Sequence, residues 1–267
     1  MTLKFCSFAS SSSGNSYLVE SENTKLLVDV GIAGKKILGG LRENHIEPEE
    51  INGILITHEH IDHVKSVRML SRKAVNAKVY ATQGTASQIS DKVEEEKLHI
   101  IDTEYPFTIG DIMVKPFNLS HDAAEPVGYV LEHNGKKISI ITDTGYISEE
   151  IFRETYDSDF FVLEANHEIN ILKMGSYPYR LKQRILGNFG HLSNEAAGAY
   201  ICRIIRKRKK DTMPPKIVLA HLSSENNTPS QAYLTIRNIL FEEDLMIGRD
   251  LELGVILKDE MSSLMEV

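Results

Sequence analysis

Short apolar runs, each broken by Gly, Asn, Asp or Ser, set the pattern of the chain. LKFCSF (3–8), SYLVE (16–20) and KLLVDV (25–30) mix aromatic and branched residues between turn formers. They predict an opening set of antiparallel strands. NGILI (52–56) has no polar face, which predicts a short strand buried on both sides. Further strands are predicted at 78–80, 98–101, 111–119, 126–132, 137–142, 159–164, 216–220 and 251–257. Helical periodicity predicts helices over 33–43, 64–74, 82–92, 178–187 and 229–242, and another from Asn194 onward behind Ser193 as N-cap. Strands come first and strands mixed with helices follow, without an internal repeat. That order predicts an α/β protein, a sheet sandwich flanked by helices, in one domain over residues 1–267.

Composition narrows the classes. With 42% apolar and 25% charged residues the chain is ordinary globular protein, which excludes disordered, collagen-like and coiled-coil readings. No apolar run has the ~20 residues of a membrane span. MTLKFCSFASSSSGN has no basic region ahead of an apolar core, so no secretory leader is expected there. Two cysteines, Cys6 and Cys202, make neither a disulfide framework nor a CxxC zinc site, and a reducing cytoplasm is the expected compartment. The net charge of −8 disfavours a protein that coats nucleic acid by bulk charge, but leaves room for a local basic groove. The basic run Arg203 to Lys210 reads most simply as a solvated helix end favoured by the helix dipole.

The chemistry concentrates where NGILI ends. His58, His60, Asp62 and His63 fall within six residues, THEHIDH, directly after a buried strand. Imidazole nitrogen and carboxylate oxygen are the donors that Zn²⁺ or Mn²⁺ takes where thiolates are absent. Two divalent metal ions need more donors than these four, and later strand ends offer them in order: His121, Asp143 and His221. The expected grouping is His58, His60 and His121 around one ion and Asp62, His63 and His221 around the other. Asp143 bridges, since a carboxylate has two oxygens.

An HxHxDH motif followed by histidine, aspartate and histidine at strand ends resembles the metallo-β-lactamase superfamily, over nearly the whole chain. The resemblance implies a four-layer αββα sandwich with a dinuclear site at one edge of the sheets. It also implies that Asp29, in LLVDVG, orients a ligand histidine or the loop around it. SSSSGN near the start, LEANH (163–167), the segment 172–194 and AHLSSENN (220–227) resemble more narrowly the YycJ/WalJ-type branch. Those proteins are similar to exonucleases that degrade DNA from the 5′ end. The stretch between Asp143 and His221 is too short for a β-CASP insertion. The resemblance therefore implies a phosphodiester hydrolase with DNA as substrate, in which a hydroxide shared by two ions attacks phosphorus in line.

Other residues are placed on that reading. Asp62, His191 and Glu164 are the catalytic candidates; His191 supplies a proton to the leaving 3′ oxygen and Glu164 holds His191 or the loop at Asn166. Ser12, Ser13 and Asn15 of the serine loop are expected at the substrate, with Asn166, His167, Arg180, Ser193 and Asn194. For several the residues leave a plainer alternative open. The serine run also suits a flexible hairpin loop, Glu164 and His167 suit structural hydrogen bonds, and Arg180, Lys182 and Arg184 suit the wet face of a helix. A small-molecule ester, lactone or thioester hydrolase would share every metal ligand, and the acidic net charge mildly favours it. A non-catalytic regulatory binding protein would be expected to carry a degraded donor set, and here all seven positions are intact.

Overall fold

The computed structural model describes residues 2–208, 213–258 and 260–267. The first sheet holds β1 (Lys4–Ser11), β2 (Gly14–Glu20), β3 (Lys25–Val28), β4 (Gly53–Leu55), β5 (Lys78–Thr82) and β6 (Leu98–Ile101). The second holds β7 (Phe107–Ile109), β8 (Ile112–Asn118), β9 (Val127–His133), β10 (Lys136–Ile141), β11 (Phe160–Glu164), β12 (Lys216–Ala220) and β13 (Glu252–Val255). A short β14 (Met265–Glu266) returns to the outer edge of the first sheet beside β1. Both sheets follow one plan. Strands β1 to β3 and β7 to β10 pair antiparallel, whereas β3 to β6 and β10 to β13 pair parallel.

The helices are α1 (Gly34–Glu43), α2 (Ile61–Val64), α3 (Val67–Lys73), α4 (Gln83–Ile89), α5 (Glu149–Thr155), α6 (Ile169–Met174), α7 (Tyr179–Leu186), α8 (Asn194–Lys207) and α9 (Pro229–Glu242). Three apolar clusters show how they layer. One joins Leu27, Ile54 and Val79 of the first sheet to Ile37 and Leu41 of α1 and Leu70 of α3. A second joins Leu26, Val28 and Leu55 to Tyr129, Ile140, Phe160 and Val162, and so fills the space between the sheets. The third joins Phe161, Leu163 and Leu219 to Ile201 of α8 and Ile236 of α9. Side chains of a strand alternate in direction, so Phe160 and Val162 enter one core while Phe161 and Leu163 enter another. Each such fully buried side chain contributes ~1.5–3 kcal/mol. This is the expected αββα sandwich, and it explains why the strands read as apolar on both faces.

Several predicted boundaries shift. The helix expected over 64–74 is broken in two. Ser66 interrupts it, its hydroxyl donating to the Ile32 carbonyl at 2.6 Å and its N–H to the Val30 carbonyl at 2.9 Å. The serine loop expected from Ser10 contracts to Ser12 and Ser13, because β1 continues through Ser11 and β2 begins at Gly14. At the α8 terminus, Arg203 pairs with Glu149 at 2.6 Å and Arg206 with Glu243, as befits a solvated helix end; Lys209 and Lys210 of that run lie outside the described residues. No helix among the described residues is long and apolar enough to cross a membrane.

Candidate metal centre

The parallel halves of the two sheets deliver their strand ends to one place. β4 ends at Leu55 and the chain enters Thr57–His63. β10 ends two residues before Asp143, β11 ends on Glu164, and β12 ends one residue before His221. The pairing Ile141–Leu163–Leu219 holds the last three strands in register, so their ends stand level. Asp29, Asp143 and His221 have φ values of 58, 62 and 55°, a left-handed backbone that non-glycine residues adopt only where the surroundings impose it. Gly31 lets the Asp29 turn pack on the histidine loop: a Cβ there would lie 1.5 Å from the Asp62 carbonyl oxygen.

His58, His60 and His121 converge, with one donor atom each within 4.8 Å of the others. Asp62, His63 and His221 converge in the same sense, and Asp143 joins His58 and His63 in a third grouping between them. His60 Nδ1 lies 3.0 Å from His58 Nε2 and 3.3 Å from His121 Nε2. Asp143 reaches His63 Nε2 at 3.2 Å, His221 Nε2 at 3.4 Å and His121 Nε2 at 3.8 Å. Asp62 and His63 sit in the single turn of α2, which directs both inward. All but His60 and Asp62 are buried.

Behind the donors, the rings of His58, His63, His121 and His221 are each fixed through their second nitrogen. Asp29 accepts from His63 Nδ1 at 2.7 Å and from the Thr57 N–H at 2.9 Å. The Thr57 hydroxyl sits 3.0 Å from His58 Nδ1. The Gly190 carbonyl lies 3.0 Å from His121 Nδ1, and Glu164 accepts from His221 Nδ1 at 2.8 Å. Such partners select the tautomer that leaves Nε2 to the centre. Glu164 is full: one oxygen also takes His191 Nδ1 at 2.9 Å, and the other takes the N–H groups of Thr144 and Leu192 at 3.0 and 3.1 Å. Although Glu164, Asp143, His191 and His221 form a fourth convergent group, a carboxylate with four donors has no room for a cation.

The electrostatics match a cation site. Burial pushes the Asp143 carboxyl up, but the His221 and His63 rings overcome this and hold it well below the carboxylate range. Burial opposes charge on His63 too, yet Asp29 and Asp143 hold it well above its ordinary value. Burial, with the neighbouring His63, keeps His58 well below its own. Glu164 is held at about 2: burial opposes its charge, and His191 and His221 outweigh burial. Asp143 Oδ2 and His221 Nε2 are buried without a hydrogen-bond partner among the described residues. Orphaned donors at the focus of so many imidazoles and carboxylates are what divalent ions would satisfy, so the residues present fit that group.

A cavity of about 260 Å³ opens on the cluster. His60, Asp62, His121, Asp143, His191 and His221 form one side, and Ser12, Asn166, Tyr177, Leu181, Arg184 and Ser223 most of the remainder. Asp122 forms a two-point pair with Arg184, one contact at 2.9 Å. Of the residues expected at the substrate, Ser12 and Asn166 line this cavity and Ser13 lines a neighbouring one. The rest lie outside the lining of this cavity. Asn15 is fully buried, bonded to Ser11 and with its amide nitrogen 3.2 Å from His63 Nε2. Ser193 spends its hydroxyl on capping α8 at the Ala196 N–H, and Asn194 is fully buried against Glu168 and Asn227. His167 is buried and Arg180 is exposed on α7, and neither is part of the lining. Glu164 does not reach the cavity; it positions His191 and His221 from behind. Sequence reasoning passed over Thr57 and Asp122, although each adjoins a ligand histidine; Tyr177 could be read from its place among the basic residues of 173–184, and Ser223 carried no signal of its own.

Similarity to known proteins agrees with this geometry. The β-lactamase superfamily domain profile matches residues 24–210. The chain is 40% identical to exodeoxyribonuclease WalJ of Streptococcus pneumoniae, over 99% of this chain and 98% of that one. It is 36% identical to exodeoxyribonuclease YycJ of Bacillus anthracis, over 95% of each. Among solved structures, the metallo-β-lactamase fold protein YhfI of Bacillus subtilis superposes with a TM-score of 0.74 at 15% identity, covering 98% of this chain and all of that one. With its sheets, strand-end donors and full-length kinship to WalJ and YycJ, this chain belongs to the metallo-β-lactamase superfamily.

Proposed function

We propose that this protein is a metal-dependent phosphodiester hydrolase, a DNA exonuclease working from the 5′ end in the cytoplasm, with residues 1–267 acting as one catalytic domain. The observation that carries the reading is the division of labour around Asp143. His58, His60 and His121 would hold one ion, Asp62, His63 and His221 a second, with Asp143 shared, while His191 lines the same cavity outside both triads. The exodeoxyribonuclease names of the full-length relatives support DNA as the substrate. The two buried, free cysteines suit a reducing compartment.

Divalent ions there, Zn²⁺ or Mn²⁺, would acidify a water and neutralise charge on the phosphoryl oxygens. The remaining work falls to the chain. With Nδ1–H on the Glu164 carboxylate, His191 in its doubly protonated imidazolium form would give the Nε2 proton to the departing 3′ oxygen and be left as the neutral ring. Asn166 is fixed by donating to the His221 carbonyl at 2.9 Å, so it presents a preset polar edge to the substrate. Tyr177 and Leu181 supply an apolar wall for a base or sugar, and the Arg184–Asp122 pair closes the rim.

The test is degradation of end-labelled oligonucleotides, with 5′-phosphate or 5′-hydroxyl ends, by metal-stripped protein given Mn²⁺ or Zn²⁺ separately. Products shortening from the 5′ end are expected. Asp143→Ala should lose bound metal and lower activity by at least ~10³-fold. Intact oligonucleotides in the presence of fully metal-loaded protein would sink the nuclease reading and turn attention to small esters and lactones.

A further inference from the structure

The wall of the metal cavity beyond His191 is built by one helix. The His191 N–H donates to the Ile185 carbonyl at 3.0 Å, so the proposed proton donor hangs from the last turn of α7. Tyr177, Leu181, Arg184 and Ile185 of that segment line the same cavity. If His191 protonates a departing 3′ oxygen, the nucleotide that leaves lies on this side. In digestion from the 5′ end that nucleotide is the terminal one, and its 5′ group is the chain end itself. The wall therefore meets the feature that tells an end from the interior of a strand.

Arg184 brings the one guanidinium or ammonium group among the described lining residues. Its Nε and Nη2 donate to the two oxygens of Asp122, the second contact at 2.9 Å. A guanidinium has five N–H groups in a fixed plane, so three remain, and no second acceptor holds them among the described residues. Asp122 is itself held. Its N–H donates to the Phe189 carbonyl at 3.2 Å, and the Ser120 hydroxyl donates to the Asn188 carbonyl at 2.7 Å. The Gly145 N–H donates to the Ser120 carbonyl at 2.8 Å, and a Cβ on Gly145 would lie 2.2 Å from the Asn188 carbonyl oxygen. The loop of Asp122 is thus clamped to the loop that leads into His191. A carboxylate fixed in this way sets the plane of a half-exposed guanidinium. The Asp122 contact favours charge on Arg184 against the cost of burial, and Asp143 and Asp62 add to it, so the guanidinium lies within the field of the metal centre.

We infer that Arg184 binds the 5′-terminal phosphate of the departing nucleotide, and that Asp122 is the positioning residue that aims its free N–H edge into the cavity. This inference rests on the nuclease reading and adds to it how a strand end is recognised. A terminal phosphate brings nearly two negative charges and three acceptor oxygens, which match a planar donor edge. A 5′-hydroxyl brings neither.

The test compares four metal-loaded proteins, the unaltered chain, Arg184→Gln, Arg184→Lys and Asp122→Asn, on one DNA strand bearing either a 5′-phosphate or a 5′-hydroxyl. Both kcat/KM and bound metal are measured for each protein. The unaltered chain should favour the phosphorylated end by ~10–100-fold, the usual range for hydrogen bonds to a charged group. Arg184→Gln should lose most of its rate on the phosphorylated end and far less on the hydroxyl end, so the ratio falls toward one. Arg184→Lys keeps the charge without the fork and should recover only part of the ratio. Asp122→Asn should narrow the ratio with its metal content unchanged. An unaltered protein that cuts both ends equally, or an Arg184→Gln protein that loses rate equally on both, would overturn the inference while leaving the nuclease reading standing. Metal loss in Asp122→Asn would make Asp122 a ligand and overturn its positioning role. Failure of the unaltered protein to cleave either strand with Mn²⁺ or Zn²⁺ would remove the nuclease reading itself, and the end pocket with it.

Discussion

The two sheets furnish the centre in different ways. From the first come His58, His60, Asp62 and His63, all within one loop and one helical turn, with Asp29 and Thr57 as their support. From the second come His121, Asp143 and His221, one for each of three connections, with Glu164 as theirs. A contiguous set is assembled by local chain geometry. A dispersed set exists only if strand order and register are right. The first region therefore contributes donors that are nearly preformed, and the second contributes alignment.

His191→Ala should separate the two contributions most sharply. The donor triads stay intact, so metal content should be retained while turnover falls by ~10²–10⁴-fold, the usual value of a positioned proton donor. Loss of metal in this variant would mean that His191 is a ligand. The supporting carboxylates come next. Glu164→Gln disturbs His191 and His221 together, so metal affinity should fall ~10–100-fold and the rate should stay low when metal is saturating. Asp29→Asn disturbs only the contiguous loop. Its affinity loss should lie in the same ~10–100-fold range, but excess metal should restore its rate. If both variants recover fully, the second region holds no more than ligands.

The smallest effect concerns His167, whose two ring nitrogens are buried without hydrogen-bond partners among the described residues. Burial lowers it to about 4, below the ordinary imidazole value near 6.5, so it stays neutral in the folded chain. The unfolded chain takes up that proton first, and stability falls as pH drops from about 6.5 to about 4. Denaturant titrations across that window should show His167→Gln losing less stability than the unaltered chain, by up to ~3 kcal/mol. Identical pH slopes would show that this histidine finds a partner in solution.

The legibility of the chain follows the same division. THEHIDH could be read because donor chemistry and spacing are both local. His121, Asp143 and His221 could be read because each ends an apolar run, and runs that end in polar residues mark the rim of a sheet. What could not be read is which way a polar side chain turns once the chain is packed. Asn194 and Asn15 look like contact residues in sequence, yet each satisfies buried backbone or side-chain groups. Arg180 and Arg184 share a helix face, but among the described residues only the latter pairs with an acid, and that acid arrives from Asp122, remote in sequence. The break at Ser66 was equally hidden, since it depends on carbonyls of the turn after Asp29.

The level ends of β10, β11 and β12 give the molecule a ruler. Adjacent strands stand about 4.8 Å apart whatever their side chains, so the spacing of the donors they carry is fixed by peptide geometry and not by the loops beyond. The segment at Tyr177 and the hairpin at Ser12 and Ser13 are under no such constraint. Insertions or exchanges there would reshape the mouth of the cavity and leave the donor spacing untouched. A scaffold that separates its measure from its walls can change what it admits without relearning how to cut.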